Sequence, residues 1–344
     1  MRFLGSSRPS PARLASLNPE MSLLRSVVDK IPCLFEVVSR EKRWIIGKME
    51  FSRFSPSPRG VARLEERFKR IITANRAEHF EGKRVLDLAA NNGRWTCAAA
   101  EAGASEVVAV EGRADKVVEA QELATQLGVA ERCKFIVGDI YDWLYENRAA
   151  RFDTILCLGI FYHIIDHYQL VRLMARLQPK CIIIDSGFVR SFALLVHVKT
   201  ENPSSHKNAL PAFEGQKSEV VGLVTLGLMN QMAWNCGYIV DPVIWDPAEV
   251  SNKHSVKDYL SARRFTLRLL KRNHVLGSDD DWQERWRSAL VRLAPKFEKL
   301  LDPKIAASVE DPRVSDRTAG EDEESGLKSV VRKLSRSLAI GGSK

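Results

Sequence analysis

Apolar residues in the middle of the chain fall into short runs, and longer stretches with a wider repeat separate them. Residues 85–88, 106–111, 133–139, 152–158 and 181–185 are compact apolar runs of the kind that a strand buried on both faces presents. Between them, 94–103, 115–127, 141–148 and 164–177 carry apolar residues at helical spacing, and the second of these helices stops at Gly128. Strand and helix in alternation predict a parallel sheet with helices on both faces. Ahead of this rhythm, 61–80 predicts a helix with its stripe at Val61, Leu64, Phe68, Ile71 and Ile72. After it the repeat breaks: 186–217 has Pro203, Pro211 and Gly215 and no clear period, which predicts a lid or a binding loop. An apolar helix is then expected over 218–236, stopped by Gly237, followed by a strand at 238–245 and a short helix at 255–260. A last strand is expected over 262–272, where Phe265, Leu267 and Leu269 alternate with polar neighbours.

Chemistry concentrates at 83–96, KRVLDLAANNGRWT. Asp87 sits inside the first apolar strand, where a carboxylate is costly unless amides or a polar ligand meet it. Ala89 and Ala90 let another backbone or a ligand come close, the two asparagines tolerate left-handed geometry, and Gly93 adopts it freely. A helix then starts with its amino end facing back at the turn. Strand, tight turn and helix start make a nucleotide-type site. The second strand ends in Glu111, placed to accept hydrogen bonds from ribose hydroxyls. The third ends in Gly138 and Asp139, where an acid can meet an adenine amino group.

In these residues the chain resembles the class I S-adenosylmethionine-dependent methyltransferases over roughly residues 60 to 272. The resemblance implies a Rossmann-like, doubly wound α/β sheet of seven strands in the order 3-2-1-4-5-7-6 with strand seven antiparallel. It implies S-adenosyl-L-methionine as cofactor, with Asp87, Ala89, Asn91 and Gly93 on the methionine part, Glu111 on the ribose and Asp139 on the adenine. In one respect the chain departs from the family, whose turn is usually Gly-x-Gly-x-Gly: the first two glycines are here Ala89 and Asn91. That substitution puts cofactor affinity in question and keeps a non-catalytic cofactor-binding or interaction protein as an alternative.

An acceptor is expected at the carboxyl ends of strands four and five, among Phe161, Tyr162, His163, Asp166, His167 and Asp185. Methyl transfer from a sulfonium is an in-line substitution, so the protein aligns the acceptor and removes its proton where needed. His163 is the expected base because imidazole titrates near neutral pH, and Asp185 is the second catalytic candidate. The other reading of His163 is a histidine that caps or packs the next helix. His163 and His167 stand four apart, yet a histidine pair suits magnesium poorly and no metal is expected. After strand four there is neither an Asn/Asp-Pro-Pro-aromatic pattern nor a Pro-Cys pair, which disfavours methylation of base amino nitrogens and of pyrimidine carbon. A lone Gly93 cannot build a GxGxxG dinucleotide turn. The expected reaction is O-methylation of a small-molecule or glycolipid-type acceptor, with RNA methylation as the alternative.

Composition changes this picture little. With 344 residues, 45% of them hydrophobic, the chain can bury one large domain with appendages. No run approaches the roughly 18 apolar residues of a membrane span. Six cysteines without metal spacing, at 33, 97, 133, 157, 181 and 236, read as free thiols in a reducing, cytoplasmic setting. The net charge of +9 is spread along the chain and leaves nucleic acid open as a partner. Residues 1–19 are basic and Ser-rich, free of acids, and are expected to be a disordered tail, with organelle targeting as the other reading. The expected organisation is an extension over 1–59 with a helix at 20–31, a methyltransferase domain over 60–275, a helix over 276–302 and a flexible tail over 303–344. Within that tail, 326–340 places Leu327, Val330, Val331, Leu334 and Leu338 at helical spacing among four basic residues, expected as a helix that docks on the protein's own core or frays, with peripheral contact with an anionic membrane as the other reading.

Overall fold

The computed structural model describes residues 50–272 apart from 206, 207 and 212. The helix expected at 20–31, the helix at 276–302 and the tail with its basic apolar segment lie outside the described residues. Close contacts divide the chain into Met1–Pro56 and Ser57–Lys344. Of the first unit, 50–56 are described, with a 3-10 turn at Phe51–Phe54.

The second unit opens with α1, Pro58–Ile71. Ser57 caps it by accepting from the Gly60 amide at 3.1 Å, and Pro58 takes the first-turn position where a missing N–H costs nothing. The sequence suggested a helix as far as 80. Asn75 ends it sooner, because its side-chain amide donates to the carbonyls of Arg70 and Ile71, each at 2.9 Å. Tighter and wider helical turns carry the chain on to Phe80.

From there the elements alternate: β1 Arg84–Leu88, α2 Arg94–Glu101, β2 Glu106–Glu111, α3 Ala114–Leu127, β3 Cys133–Val137, α4 Ile140–Glu146, β4 Thr154–Leu158, α5 His167–Arg176 and β5 Cys181–Gly187. The remainder is β6 Val196–Glu201, β7 Glu219–Val224, α6 Leu226–Asn235, β8 Tyr238–Pro242, α7 Lys257–Leu260 and β9 Arg264–Lys271. Seven strands form one sheet in the order β3-β2-β1-β4-β5-β9-β8, with β1 to β5 parallel and β9 antiparallel to both its neighbours. With β9 and β8 in the places of strands seven and six, this is the expected sheet. The middle strands are sealed: Leu86, Ile155, Ile182 and Ile184 are fully buried, each burial worth about 1.5–3 kcal/mol.

Two expectations are corrected. Residues 186–217 are not free of regular structure, and 218–236 is not one helix. Val196–Glu201 pairs antiparallel with Glu219–Val224 as a separate hairpin. The β-branched run Val220, Val221 and Val224, with a glycine inside it at 222, favours strand over helix. Thr225 then starts α6, its hydroxyl accepting from the Leu228 amide at 3.2 Å. The hairpin also shortens α5. Gly222 donates its amide to the Ile164 carbonyl at 2.8 Å, so 163–166 are held in turns and the helix begins at His167. Among the described residues no helix is long and apolar enough to cross a membrane, and Cys97, Cys133, Cys157, Cys181 and Cys236 are free thiols.

Candidate active site

The loops at the carboxyl ends of β1, β2 and β3 form one hydrogen-bonded cluster. Asp87 lies on β1 opposite Ala109 and Leu156 and is almost fully buried. It accepts from the Thr96 hydroxyl at 2.6 Å. Burial pushes its carboxyl up to about 7, against the Thr96 bond and with some help from the charge of Glu111. Such a carboxyl is poised to ionise when a cation arrives beside it.

The turn after Asp87 is bent as a glycine turn would be. Ala89 and Asn91 have φ of 56° and 51°, and Gly93 has 71°. A left-handed backbone costs an alanine about 1–2 kcal/mol, so strain is stored where a family member carries glycine. Gly93 is also fixed by space, since a Cβ there would stand 2.6 Å from the Cβ of Ala120 on α3. Glu111 holds the turn in place: its carboxylate accepts from the Asn91 amide at 2.8 Å and from the Arg113 amide at 3.0 Å. The Gly138 amide donates to the Glu111 carbonyl at 3.0 Å, which brings the loop after β3 alongside. Asp139 is exposed there and caps α4, accepting from the amides of Tyr141 and Asp142 at 2.7 and 3.2 Å. The side-chain oxygen of Asn92 is buried with no partner among the described residues.

This set fits a sulfonium nucleoside. It offers a buried carboxyl near its titration point, an orphaned amide oxygen for a donor group and a second carboxylate at the end of β2. Two cations flank it. The Arg67 guanidinium lies 5.0 Å from the centre of the Trp95 ring, and burial beside Arg67 lowers the pKa of Arg94 to about 10.

The loop after β4 holds the second group. The Phe161 ring is core, packed on His167 and Phe188. His163 is nearly buried, with its ring 4.1 Å from that of Tyr162. Its Nδ1 lies 2.5 Å from Oε2 of Glu201, the last residue of β6. Burial, helped by the charges of Lys199 and Arg264, lowers the imidazole pKa although Glu201 raises it. His167 bonds separately, its Nε2 3.2 Å from the Gly222 carbonyl, so the two histidines do not share a helical face. Asp166 is exposed.

Asp185 stands at the end of β5, fully buried, and is surrounded by donors. Arg67 reaches it at 3.0 Å, Nε of Arg264 at 2.6 Å, and the hydroxyls of Tyr259 and Thr266 at 2.7 Å each. Burial alone raises a carboxyl, yet here Arg264, Arg67 and the two hydroxyls hold it down at about 2. The second catalytic candidate of the sequence is thus placed as a carboxylate held by two arginines and two hydroxyls. A carboxylate held so low and already accepting four bonds fixes Arg264 and Arg67 and has little basicity left for an acceptor.

The structure thus gathers Asp87, Ala89, Asn91, Gly93 and Glu111, with Asp139 beside them. Asp185 on β5 binds Arg264, whose guanidinium lies 5.4 Å from the ring centre of Tyr162, the neighbour of His163 on the loop after β4. Sequence reasoning missed Glu201, Arg264, Arg67 and Tyr259. Alternation over 196–201, VHVKTE, was the available sign of the strand that delivers Glu201. The partners of Asp185 lie 74 to 118 residues away along the chain and left no local sign.

Residues 79–227 match a family described as "Methyltransferase domain". No curated protein matches the chain by sequence. Among solved structures it is similar to the N-terminal domain of EvdMO1 with SAH bound, at 20% identity over 63% of this chain and 82% of that one, with a TM-score of 0.44. It is also similar to the magnesium protoporphyrin IX methyltransferase ChlM of Synechocystis PCC 6803 with bound SAH, at 16% identity over 61% and 84%, TM-score 0.42. A third likeness is to an S-adenosylmethionine dependent methyltransferase of Mesorhizobium loti, at 11% identity over 60% and 100%, TM-score 0.45. The family match thus spans β1 to the start of α6, so residues 79–227 carry the likeness to a methyltransferase domain, on a sheet ordered β3-β2-β1-β4-β5 and closed by the antiparallel β9.

Proposed function

We propose that the enzyme methylates a hydroxyl oxygen of a small-molecule or glycolipid-type acceptor, with His163 as the base. The observation that carries this reading is the imidazole itself. It is nearly buried on the loop after β4, burial keeps it neutral at pH 7, and Nε2 makes no hydrogen bond among the described residues. Bound S-adenosylmethionine supplies an electrophilic methyl group. Asp87, Asn91 and Gly93 would hold its methionine part, Glu111 its ribose and Asp139 its adenine edge. His163 takes the hydroxyl proton at Nε2, and Tyr162 packs against the imidazole.

The surface beside this loop supports an acceptor with an apolar part. Leu194, Leu195, Val196 and Val198 are exposed on and before β6, and Ile165 and Tyr168 are exposed at the start of α5. A cavity of about 330 Å³ lies between α5, β6 and α6, lined in part by Ile165, Val196, Leu228 and Met232. Contiguous apolar surface of this kind suits a lipid-bearing partner. A lipid acceptor also gives the basic apolar pattern of 326–340 a purpose at an anionic bilayer. Co-sedimentation of the full chain with anionic vesicles at low salt, lost on truncation after Gly320, is the expected result.

The test is transfer of labelled methyl from the donor to lipid extract, small-molecule fractions and RNA in parallel. Base-labile or alkali-stable product chemistry then identifies the acceptor atom. His163→Ala should lower turnover about a hundredfold or more while donor binding stays nearly intact. Label in RNA alone, or a His163→Ala rate near normal, would refute the reading.

A further inference from the structure

We infer that Glu201 is the positioning residue for His163, fixing the imidazole proton on Nδ1 so that Nε2 faces the acceptor as a base. The inference rests on the reading of His163 as that base. Its geometry is independent of the donor site. Glu201 ends β6, in a hairpin that lies outside the seven-stranded sheet, and its side chain is only 10% exposed. Oε2 meets His163 Nδ1 at 2.5 Å, and Oε1 accepts from Lys199 Nζ at 2.8 Å.

Three consequences follow from this placement. An ionised carboxylate only accepts, so the Nδ1 that faces it must carry the proton, and the neutral ring then has its lone pair on Nε2. Burial would raise the Glu201 carboxyl, but the Lys199 and His163 bonds hold it below its ordinary value, so it remains charged at neutral pH. When Nε2 accepts a proton, the imidazolium forms beside that negative charge, and no group has to move to stabilise it. The other charges facing the ring are Lys199 on β6 and Arg264 on β9, and both oppose protonation. Glu201 is therefore the group that supports the imidazolium against two cations.

The experiment is nitrogen NMR of the full chain labelled at its histidines, with S-adenosylhomocysteine present, the His163 signal being assigned by its loss in His163→Gln. The wild-type ring is expected as the Nδ1–H tautomer when neutral. In Glu201→Gln the amide oxygen can still accept from Nδ1, so the tautomer is kept, but the midpoint should fall by about one pH unit because the negative charge is gone. Glu201→Asp, which keeps the charge, should restore most of the midpoint. Glu201→Ala should release the tautomer to Nε2–H. Thermal unfolding and S-adenosylhomocysteine affinity of each variant report whether the fold is intact. A Glu201→Gln midpoint that stays put or rises overturns the inference, and so does a wild-type ring in the Nε2–H form, which is read even if no variant folds well enough to assay. The base reading fails separately: it falls if His163→Gln transfers label to the extracts at the wild-type rate, an outcome that leaves the tautomer measurement standing.

Discussion

Asp185→Asn separates a holding carboxylate from a reacting one. The native carboxylate sits at zero exposure and accepts from Arg67, Arg264, Tyr259 and Thr266. The fall of its pKa from 3.8 to about 2 corresponds to about 2–3 kcal/mol of preference for the charged form in the folded chain. An asparagine keeps the shape but removes the charge, leaving two guanidinium groups facing a neutral amide. Removing one partner of such a buried pair costs about 3–5 kcal/mol. Stacking of Arg67 on Trp95, and the bond from Arg264 to the backbone carbonyl of Asp185 at 3.1 Å, soften the loss, so a value near 3 is expected. The sign with pH follows from a depressed acid. The stabilisation is complete above 3.8, is about half gone at pH 3 and vanishes below about 2. Urea unfolding of the full chain, followed by tryptophan fluorescence at pH 7 and pH 3.5, measures it. A loss under about 1 kcal/mol at pH 7 would refute the argument. So would intact stability joined to a hundredfold fall in turnover, which would return Asp185 to the reaction.

Glu111→Ala should weaken S-adenosylhomocysteine binding by more than about 1.5 kcal/mol in calorimetry, because it removes both a charged acceptor and the tie that holds the Asn91 amide. Because the Asp87 carboxyl titrates at about 7, donor affinity should rise with pH up to about 7 and then level off, and Asp87→Asn should bind weakly with no such slope. Hydrogen exchange should find residues 202–205 and 208–211 more mobile than the sheet and slowed by the donor product. There the carbonyl of Asn208 accepts from Arg113 at 3.0 Å and Leu210 fills the space beside Gly112, next to Glu111. Exchange equally fast with and without ligand would make this segment a passive loop.

The cluster around Asp87 was legible because it is local. Asp87, the turn and Gly93 are adjacent in the chain, and a strand-turn-helix with small residues has few other uses, so pattern and geometry agree. Glu111 and Asp139 could be placed for the same reason, each standing where an apolar run stops. Even the departures from glycine at Ala89 and Asn91 were readable as positions that must bend, though only the backbone angles show that they do.

The surroundings of His163 and Asp185 were not legible, since they are assembled from distant segments by long-range packing. His163 was visible as a residue, but Glu201 reaches it from 38 residues away on a hairpin whose first strand lies in a stretch without an apparent period. Asp185 looked like a catalytic acid at a strand end, and only the convergence of α1, α7 and β9 on it reveals a carboxylate already spent on two arginines and two hydroxyls. The sequence by itself determined the alternation of strands and helices and the bent turn after β1, because burial periodicity and backbone bending are encoded residue by residue; the strand order came from the family resemblance. Tertiary structure alone decided which acid is clamped by arginines and which meets the histidine, because the energy of a buried charge depends on partners that no short window of sequence contains.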